Sequence, residues 1–407
     1  MKYFGTDGIR GIINEDLKVE LLVKIGQAIS VLNIDKIYIG YDTRNSNYLL
    51  LTSLASGLLS KGINVVNVGL VSTPSLQYFS KRYKVAALMI TASHNPYFYN
   101  GIKIFINGDK LSKEEEEKIE SSLNICGDYK IGQYFQTDRV VSNYIEYLLK
   151  FKEPSKYKIK LDLANGAVIN IANNLFNKDD NITLINNVSN GTNINDNCGS
   201  LFIDNIDLKE EDYLFSFDGD GDRVLFKNKN MIFDGDIIVY LLAKYYKEKK
   251  ELVNNKVVLT KNVNLGLLKA FKKLKVKVLL SDIGDKNVYD LMIKEKCMLG
   301  GETSGHIINL KYMTSGDGLL NFLILNKIIN EVNIDEYIKD IEYHPYVNLN
   351  LDLKYPKDVL EQIQKKYQKK ARINIRKSGT EKTLRVNICS KKEEIIEMIV
   401  KEIKKYE

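Results

Sequence analysis

The stretch KIYIGYDTRNSNYLLLTSLASGLLSKGINVVNVG, residues 36–69, indicates the fold class. Its ends, KIYIGYD and INVVNVG, are short runs rich in β-branched residues. The segment YLLLTSLASGLLSK between them has apolar residues at helical spacing and is closed by Gly62. A strand, a helix and a second strand in this order are typical of an α/β fold, in which helices cover a mostly parallel sheet.

The same alternation continues along the chain and predicts its domain organisation. The segments KIKLDLAN, ITLINN, YLFSF, KVVLT and VKVLLSD are further strand candidates with helical segments between them. The end of the chain is different, because YVNLNLDL, DVLEQIQKKYQ, ARINIR, LRVNIC and IIEMIVKEI predict the order β, α, β, β, α. We therefore expect three related mixed α/β domains and a smaller C-terminal α+β domain, at residues 1–150, 151–250, 251–344 and 345–407.

Composition excludes several classes of protein. The chain is 44% apolar and 27% charged, and no apolar run approaches the ~18 residues that span a bilayer. Because the opening MKYFG has no apolar signal region, we expect a cytoplasmic protein. The four cysteines form no CxxC pair, which argues against a zinc site and a disulfide framework. The net charge of +7 suits nucleic acid or anionic substrates, but no basic stripe with interleaved aromatic residues is present, so we expect no nucleic-acid partner.

Arginine is rare in this chain. Of the 59 basic residues eight are arginines, which leaves 51 lysines. An arginine that persists against this bias is expected where a planar, bidentate group is needed, as in binding phosphate or carboxylate. Five of the eight arginines lie in Gly-rich or Ser-rich loop segments.

The segment FSFDGDGDR is the strongest candidate for a metal site. Asp218, Asp220 and Asp222 alternate with glycines that allow a tight loop, and oxygen ligands of this kind suit Mg²⁺ or Ca²⁺. An EF-hand would need glutamate at the twelfth position of the loop, where Lys229 stands. The alternative is an acidic surface turn.

The segment ITASHNP raises three possibilities for Ser93. It is a nucleophile activated by His94, a serine that caps a turn, or a carrier of a phosphoryl group that completes the metal site. Adjacent side chains of an extended loop point apart, which places His94 poorly as a general base. A phosphorylated serine needs no such base and supplies the further oxygen ligand that three aspartates leave open.

Two other loops have the chemistry of a sugar-phosphate site. In IRKSGTEKTLR, a Ser-Gly-Thr turn flanked by arginines offers hydroxyl, N–H and guanidinium donors to a phosphate, with a plain hairpin turn as the alternative. In GGETSGH, Glu302, Ser304 and His306 suit the hydroxyls of a sugar, although this motif taken alone favours an ordinary loop histidine. Arg10 and Lys103 lie in Gly-flanked loops that mean little alone.

Taken in order, FGTDGIRG, TASHNP, GIK, DGDGDR, GETSGH and RKSGTE resemble the α-D-phosphohexomutase superfamily over nearly the whole chain. The opening FGTDGIRG, the segment GTNINDNCGS at 191–200 and the Gly-Asp pair ending at Asp285 are similar to the branch that acts on glucosamine phosphate. The resemblance implies four domains around a central cleft.

The resemblance also implies roles for individual residues. Ser93, Asp218, Asp220 and Asp222 would hold one Mg²⁺ per chain, with Ser93 phosphorylated. Glu302, Ser304, Arg223 and Asp285 would bind the sugar. Catalysis would involve Ser93, Lys103, Arg10 and His306, and Lys103 is expected to be the general acid/base, with a pKa lowered by burial beside the metal and an arginine. The distal phosphate would be bound by Arg376, Ser378, Gly379, Thr380 and Arg385.

The implied reaction is the isomerisation of glucosamine 6-phosphate to glucosamine 1-phosphate, which would feed UDP-N-acetylglucosamine and cell-wall precursor synthesis. It would pass through a 1,6-bisphosphate, with glucosamine or glucose 1,6-bisphosphate as activator. The partners would be small sugar phosphates, and the chain would be a monomer or homodimer without membrane contact. The alternatives are a phosphomannomutase or phosphoglucomutase and a non-catalytic, metal-dependent sugar-phosphate-binding protein. Lys382, Thr303 and Lys286 depart from the family pattern and bear on substrate preference.

Overall fold

The computed structural model describes residues 3–5, 7–124, 130–352, 354–377 and 383–406. These residues divide into two compact units. Unit 1 comprises the described parts of Met1–Gly235 and Ser304–Glu331, and unit 2 those of Asp236–Thr303 and Val332–Glu407. The predicted α/β fold class is confirmed, whereas the division into four domains stays a prediction.

The first sheet is built around the βαβ segment that opened the sequence analysis. Its elements are β1 (Phe4–Gly5), β2 (Gly8–Ile12), α1 (Val19–Ala28), β3 (Lys36–Tyr41), α2 (Asn47–Leu59), β4 (Asn64–Leu70), α3 (Thr73–Tyr83), β5 (Ala86–Ile90), β6 (Tyr99–Ile106), β7 (Asp109–Lys110), α4 (Lys113–Ser121), β8 (Tyr134–Gln136) and α5 (Arg139–Leu148). The strand order is β1-β2-β6-β5-β3-β4-β8, and β7 pairs with β6. Strand β3 is parallel to β4 and β5, as the βαβ pattern predicts.

The centre of this sheet is fully apolar. All five residues of β5 are buried, and helices α1 and α2 pack together over the core beside β3. In open α/β folds, ligands bind at the edge of the sheet where the buried strands end and their following loops begin. The loop that follows β5 contains Ser93.

The second sheet carries the acidic loop. Its elements are β9 (Ile159–Asp162), α6 (Ile169–Phe176), β10 (Ile182–Ile185), β11 (Tyr213–Phe217), β12 (Val224–Lys227) and β13 (Ile232–Phe233). Strand β9 is parallel to β10 and β11, while β11 and β12 are antiparallel. The connection between β11 and β12 is the segment DGDGDR.

The remaining elements, in chain order, are α7 (Gly235–Glu248), β14 (Lys256–Thr260), α8 (Leu265–Lys273), β15 (Lys277–Ser281), α9 (Asp285–Glu295), β16 (Leu299–Gly301), β17 (Ile307–Asn309), α10 (Gly318–Glu331), α11 (Ile334–Ile338), β18 (Tyr346–Asp352), α12 (Lys357–Tyr367), β19 (Ala371–Lys377), β20 (Thr383–Ser390) and α13 (Glu393–Ile403). Short 3₁₀ turns lie at Ile29–Leu32, Ser200–Asn205, Val253–Asn255 and Lys404–Tyr406.

Helix α10 belongs to unit 1, where Phe322 contacts Phe215 of β11 and Phe176 of α6. In unit 2, β14 is parallel to β15 and β16. The last sheet has the antiparallel order β18-β20-β19, and helices α12 and α13 share its apolar core. The β, α, β, β, α order predicted for the end of the chain is confirmed. Among the described residues, no helix is both long and apolar enough to cross a bilayer.

Candidate active site

Ser93 is buried at the start of the loop after β5 and has an unusual backbone conformation. Its φ of 53° lies in the left-handed region, which residues with a Cβ rarely adopt. The Ser93 N–H donates to Thr91 Oγ1 at 2.9 Å, and Ser93 Oγ donates to Asp218 Oδ2 at 2.6 Å. The structure therefore places the hydroxyl of Ser93 against the acidic loop, as the sequence predicts.

His94 lies closer to Ser93 than the sequence analysis expects. Because the backbone at Ser93 is left-handed rather than extended, His94 Nδ1 lies 3.3 Å from Ser93 Oγ. The prediction that the two side chains point apart is wrong. Burial, reinforced by Arg223 and Arg10, holds the pKa of His94 well below its usual value, so the ring is neutral.

The acidic loop folds as its alternating glycines predict. Gly221 has a φ of 75°, and a Cβ at Gly219 would lie 2.5 Å from the carbonyl oxygen of Ser93. These glycines allow a tight turn and a close approach to the serine loop. Each of Asp218, Asp220 and Asp222 is buried and offers a carboxylate oxygen within 4.8 Å of the others.

Three buried carboxylates this close together repel one another strongly. Burial and the carboxylates of Asp222 and Asp220 raise the pKa of Asp218 well above its usual value. The pKa of Asp220 is lowered, because the attraction of Lys103 and hydrogen bonds from Lys103 and Thr73 outweigh its burial. Arg223 Nε lies 3.9 Å from Asp218 Oδ2 and 3.8 Å from Asp222 Oδ1, which adds positive charge.

Lys103 is a central counter-charge of the acidic loop. Its Nζ lies 2.8 Å from Asp220 Oδ2, 3.0 Å from Asp222 Oδ2 and 3.2 Å from Asp7 Oδ2. Burial alone lowers the pKa of Lys103, but these carboxylates outweigh it and raise the pKa well above its usual value. The lowered pKa that the resemblance implies beside a metal ion stays a prediction.

Arg10 and His306 also lie in unit 1 near this cluster. Arg10 Nη2 donates to Asp7 Oδ2, and Asp7 in turn contacts Lys103. His306 forms a backbone bridge with Arg223, and its Nε2 lies 3.9 Å from Asp222 Oδ2. The structure thus brings the predicted residues Ser93, Lys103, Arg10, Arg223 and His306 together around the three aspartates.

The predicted sugar-binding residues are divided between the units. Ser304 is half-buried in unit 1, whereas Glu302 and Asp285 lie in unit 2. Within unit 2, Glu302 Oε1 accepts from the Gly284 N–H at 2.9 Å, beside the start of α9 at Asp285. Thr303 Oγ1 donates to Asp236 Oδ2 at 2.7 Å, so this departure from the family pattern makes a specific contact.

Arg376 and Arg385 face each other as cross-strand partners of β19 and β20 in unit 2. Burial and the nearby Arg385 lower the pKa of Arg376, while Glu302 opposes this shift. Like charges directly opposite one another are unfavourable unless an anion accompanies them. The other predicted phosphate ligands, Ser378, Gly379 and Thr380, lie outside the described residues, as does Lys382.

Several buried residues of the serine and aspartate network were missed from the sequence, and Arg44, Asn195 and Thr73 are three of them. Arg44 and Asn195 donate to the carbonyl oxygen of Ser93, and Thr73 Oγ1 donates to Asp220 Oδ2 at 2.6 Å. The rarity of arginine in this lysine-rich chain could have identified Arg44 as a candidate. Asn195 lies in the segment GTNINDNCGS that supported the resemblance, whereas Thr73, the first residue of α3, carried no signal.

Comparisons with known proteins agree with this geometry. Family models described as phosphoglucomutase/phosphomannomutase, alpha/beta/alpha domains I and III, match residues 1–127 and 234–343. A phosphoglucomutase/phosphomannomutase family protein of Burkholderia thailandensis has a similar structure, with a TM-score of 0.82 at 21% identity over 99% of this chain and 96% of that one. The fold and these matches define the class, which is that of the phosphohexomutases.

A curated relative narrows the assignment within this class. Phosphoglucosamine mutase of Dictyoglomus turgidum is 39% identical over 95% of this chain and 94% of its own. The chain therefore belongs to the phosphoglucosamine mutase family. The fold is also shared with N-acetylphosphoglucosamine mutase of Aspergillus fumigatus, at a TM-score of 0.71 and 17% identity over 99% of this chain and 95% of that one. That structure contains GlcNAc-6P and magnesium, and another of the same protein contains glucose 1,6-bisphosphate.

Proposed function

We propose that this chain isomerises glucosamine 6-phosphate to glucosamine 1-phosphate and that Ser93 carries the phosphoryl group. The observation that carries the proposal is the hydrogen bond from Ser93 Oγ to Asp218, which places a hydroxyl at a cluster of three buried aspartates. Full-length similarity to a phosphoglucosamine mutase supports the choice of substrate.

The three aspartates fit a divalent cation. Oδ1 of Asp220 and Oδ1 of Asp222 are buried without a hydrogen-bond partner among the described residues, and their Oδ2 atoms contact Lys103. Buried carboxylate oxygens of this kind are the ligands that Mg²⁺ prefers. We propose that Asp218, Asp220, Asp222 and the phosphate on Ser93 hold one Mg²⁺, which would neutralise charge on the phosphoryl group during transfer.

The reaction consists of two phosphoryl transfers. In the first, the P–O bond to Ser93 Oγ breaks and a P–O bond to the sugar C1 oxygen forms, while the C1 hydroxyl loses its proton and Ser93 Oγ gains one. The resulting 1,6-bisphosphate turns around. In the second transfer, the phosphoryl group passes from the C6 oxygen to Ser93 Oγ, which gives up its proton, and the C6 oxygen gains a proton, leaving glucosamine 1-phosphate.

The side chains of this protein supply charge and alignment for both transfers. Lys103, Arg10 and Arg223 place positive charge around the serine and the aspartates, which stabilises a phosphoryl group as it moves. We propose Lys103 as the general acid/base, because a cation among the aspartates would offset the carboxylates that raise its pKa and bring that pKa closer to the range for proton exchange. Arg376 and Arg385 present two guanidinium groups for the phosphate that does not react.

The decisive experiment compares the purified protein with Ser93→Ala. We expect intact mass spectrometry to show one added phosphate in the wild type and none in the variant, and we expect the variant to lack mutase activity in the presence of glucose 1,6-bisphosphate. Retention of activity by Ser93→Ala would refute the phosphoserine mechanism.

The substrate is tested separately, by measuring kcat/KM for glucosamine, glucose and mannose 6-phosphates. A preference for glucose or mannose phosphate would transfer the assignment to the phosphoglucomutase or phosphomannomutase group. A protein that binds these sugar phosphates without converting any of them would be a binding protein instead.

A further inference from the structure

The loop that carries Ser93 is held through its backbone carbonyls by a single buried arginine. Arg44, which is 2% exposed, lies in the turn between β3 and α2. Its Nη2 donates to the carbonyl oxygens of Ser93 at 2.9 Å and Asn95 at 2.8 Å. Its Nη1 donates to the carbonyl oxygens of Pro96 and of Tyr99, the latter at 3.0 Å. One guanidinium group therefore fixes four points of the segment 93–99.

Arg44 is itself fixed by Asp42. Asp42 Oδ2 accepts from Arg44 Nε at 3.0 Å, and Asp42 Oδ1 accepts from the Arg44 N–H at 3.0 Å. Asp42 Oδ2 also accepts from Thr91 Oγ1 at 2.8 Å, and Thr91 Oγ1 accepts from the Ser93 N–H. The same network thus holds the amide and the carbonyl of Ser93, and Asn195 Nδ2 adds a second donor to that carbonyl at 2.9 Å.

This network accounts for the left-handed backbone of Ser93. A residue with a Cβ keeps a positive φ where its surroundings impose it. With φ at 53°, Ser93 Oγ reaches Asp218 Oδ2 at 2.6 Å. An extended backbone at this position would direct the hydroxyl elsewhere, because φ sets the direction of the Cα–Cβ bond relative to the chain.

We propose that Arg44 is a positioning residue for phosphoryl transfer at Ser93. This inference rests on the proposed role of Ser93 as the phosphate carrier. Arg44 keeps Ser93 Oγ aligned with the acidic loop while the sugar bisphosphate turns around and the second transfer follows. A lysine cannot replace it, because an ammonium group lacks the planar fork that reaches several acceptors at once. The retention of an arginine here, in a chain with 51 lysines and eight arginines, agrees with that requirement.

The test is Arg44→Lys, with Arg82→Lys as the matched control. Arg82 bonds Tyr78 on an exposed face of α3, so we expect its conversion to leave activity unchanged. For Arg44→Lys we expect kcat with glucosamine 6-phosphate to fall roughly 10²-fold, as for a misaligned reacting group, with KM within about threefold of the wild type. The single-turnover rate at which phosphorylated protein transfers its phosphate to the sugar should fall equally.

Circular dichroism identifies a temperature at which the wild type and Arg44→Lys are both fully folded, and their single-turnover rates are compared at that temperature. A merely structural role would lower the unfolding temperature and leave the single-turnover rate of the folded protein unchanged, which would overturn the proposal. If Arg44→Lys does not fold, Asp42→Asn decides. It removes the charge that holds Arg44 Nε at almost constant volume, and we expect kcat to fall about tenfold with unchanged KM. An unchanged kcat in that variant would overturn the proposal.

The Ser93→Ala variant separates this inference from the proposed function. If Ser93→Ala retains activity, the proposed function fails and the role of Arg44 fails with it. If Ser93→Ala is inactive while folded Arg44→Lys transfers phosphate at the wild-type rate, only the positioning role is refuted.

Discussion

At the scale of single residues, Lys103 is the cation on which the acidic cluster depends. Its side chain is 3% exposed and contacts two aspartates of the loop as well as Asp7. Removing one partner from a buried group of charges leaves the others uncompensated. A divalent cation among the aspartates would restore part of the missing positive charge.

We therefore expect Lys103→Met to lower the free energy of unfolding by about 3 kcal/mol in EDTA and by about half of that in Mg²⁺. Urea unfolding in the two buffers measures both values. Lys110→Met is the matched control, because Lys110 contacts Asp7 at a more exposed position, and it should lose less than about 1 kcal/mol in either buffer. An equal loss for Lys103→Met in EDTA and in Mg²⁺ would contradict a cation site at the aspartates.

Single residues show how far the sequence predicts the site. The aspartate triplet and Ser93 were predicted because short sequence motifs identify them. The contact between Ser93 and His94 was not, since it depends on one positive φ that neighbouring elements impose. The carboxylates that raise the pKa of Lys103 were not assigned to it from the sequence, because Asp220, Asp222 and Asp7 are all far from it along the chain.

At the scale of elements, helix α10 begins beside a buried carboxylate. Asp317 Oδ1 accepts from the Leu320 N–H at 3.0 Å and from the hydroxyl of Tyr144 in α5 at 2.6 Å. Burial outweighs these hydrogen bonds and raises the pKa of Asp317 from 3.8 to about 6. Between these two values the folded chain binds a proton that the unfolded chain has already lost.

As the pH rises from about 4 to about 6, the free energy of unfolding should therefore fall by roughly 3 kcal/mol because of this residue. Above that pH it should level off. Asp317→Asn keeps an acceptor for α10 and should remove this part of the pH dependence. Tyr144→Phe is the complementary variant, because losing a hydrogen bond to the carboxylate should raise the pKa further and extend the decline to higher pH. Urea unfolding at several pH values measures the effect, and parallel profiles for wild type and Asp317→Asn would refute it.

The hairpin of β19 and β20 gives the second prediction at this scale. Arg376 and Arg385 are directly opposite each other, so removing one charge should relieve repulsion. We expect Arg376→Ala to leave the unfolding free energy unchanged or raised by a few tenths of a kcal/mol. The KM for glucosamine 6-phosphate should rise roughly tenfold, because a charged hydrogen bond to phosphate is lost.

Lys377→Ala is the control for this hairpin. Lys377 is exposed beside Arg376 and lies opposite Leu384, so the substitution should leave KM unchanged. Steady-state kinetics and urea unfolding are measured on both variants. A lower stability with unchanged KM for Arg376→Ala would assign the arginine to the fold rather than to phosphate.

At the scale of the whole molecule, the sequence predicted the order of elements better than their grouping. The strand and helix periods of the βαβ segment and of the β, α, β, β, α end are local properties, and both appear in the structure. The grouping is not local. Helix α10 lies within the predicted third domain, residues 251–344, yet it packs through Phe322 against Phe215 and Phe176 of unit 1. No period in the sequence reveals such a contact.

The division into two units predicts which unit a bound metal ion stabilises. Ser93 and the three aspartates belong to unit 1, whereas Arg376, Arg385 and Glu302 belong to unit 2. A ligand stabilises the cooperative unit that binds it. Mg²⁺ without sugar should therefore slow amide hydrogen exchange in unit 1, most clearly at residues 86–93 and 213–224.

At a Mg²⁺ concentration about 100 times its Kd, exchange through unfolding of unit 1 should slow by about 100-fold, while residues 346–352 and 383–390 of unit 2 should change less than about threefold. Hydrogen exchange followed by mass spectrometry measures both regions in one sample. Asp220→Asn provides the control, because it removes a ligand charge from the cluster and should abolish most of the difference. Equal slowing in both units, or slowing that persists in Asp220→Asn, would mean that Mg²⁺ stabilises the chain at some place other than the aspartate loop.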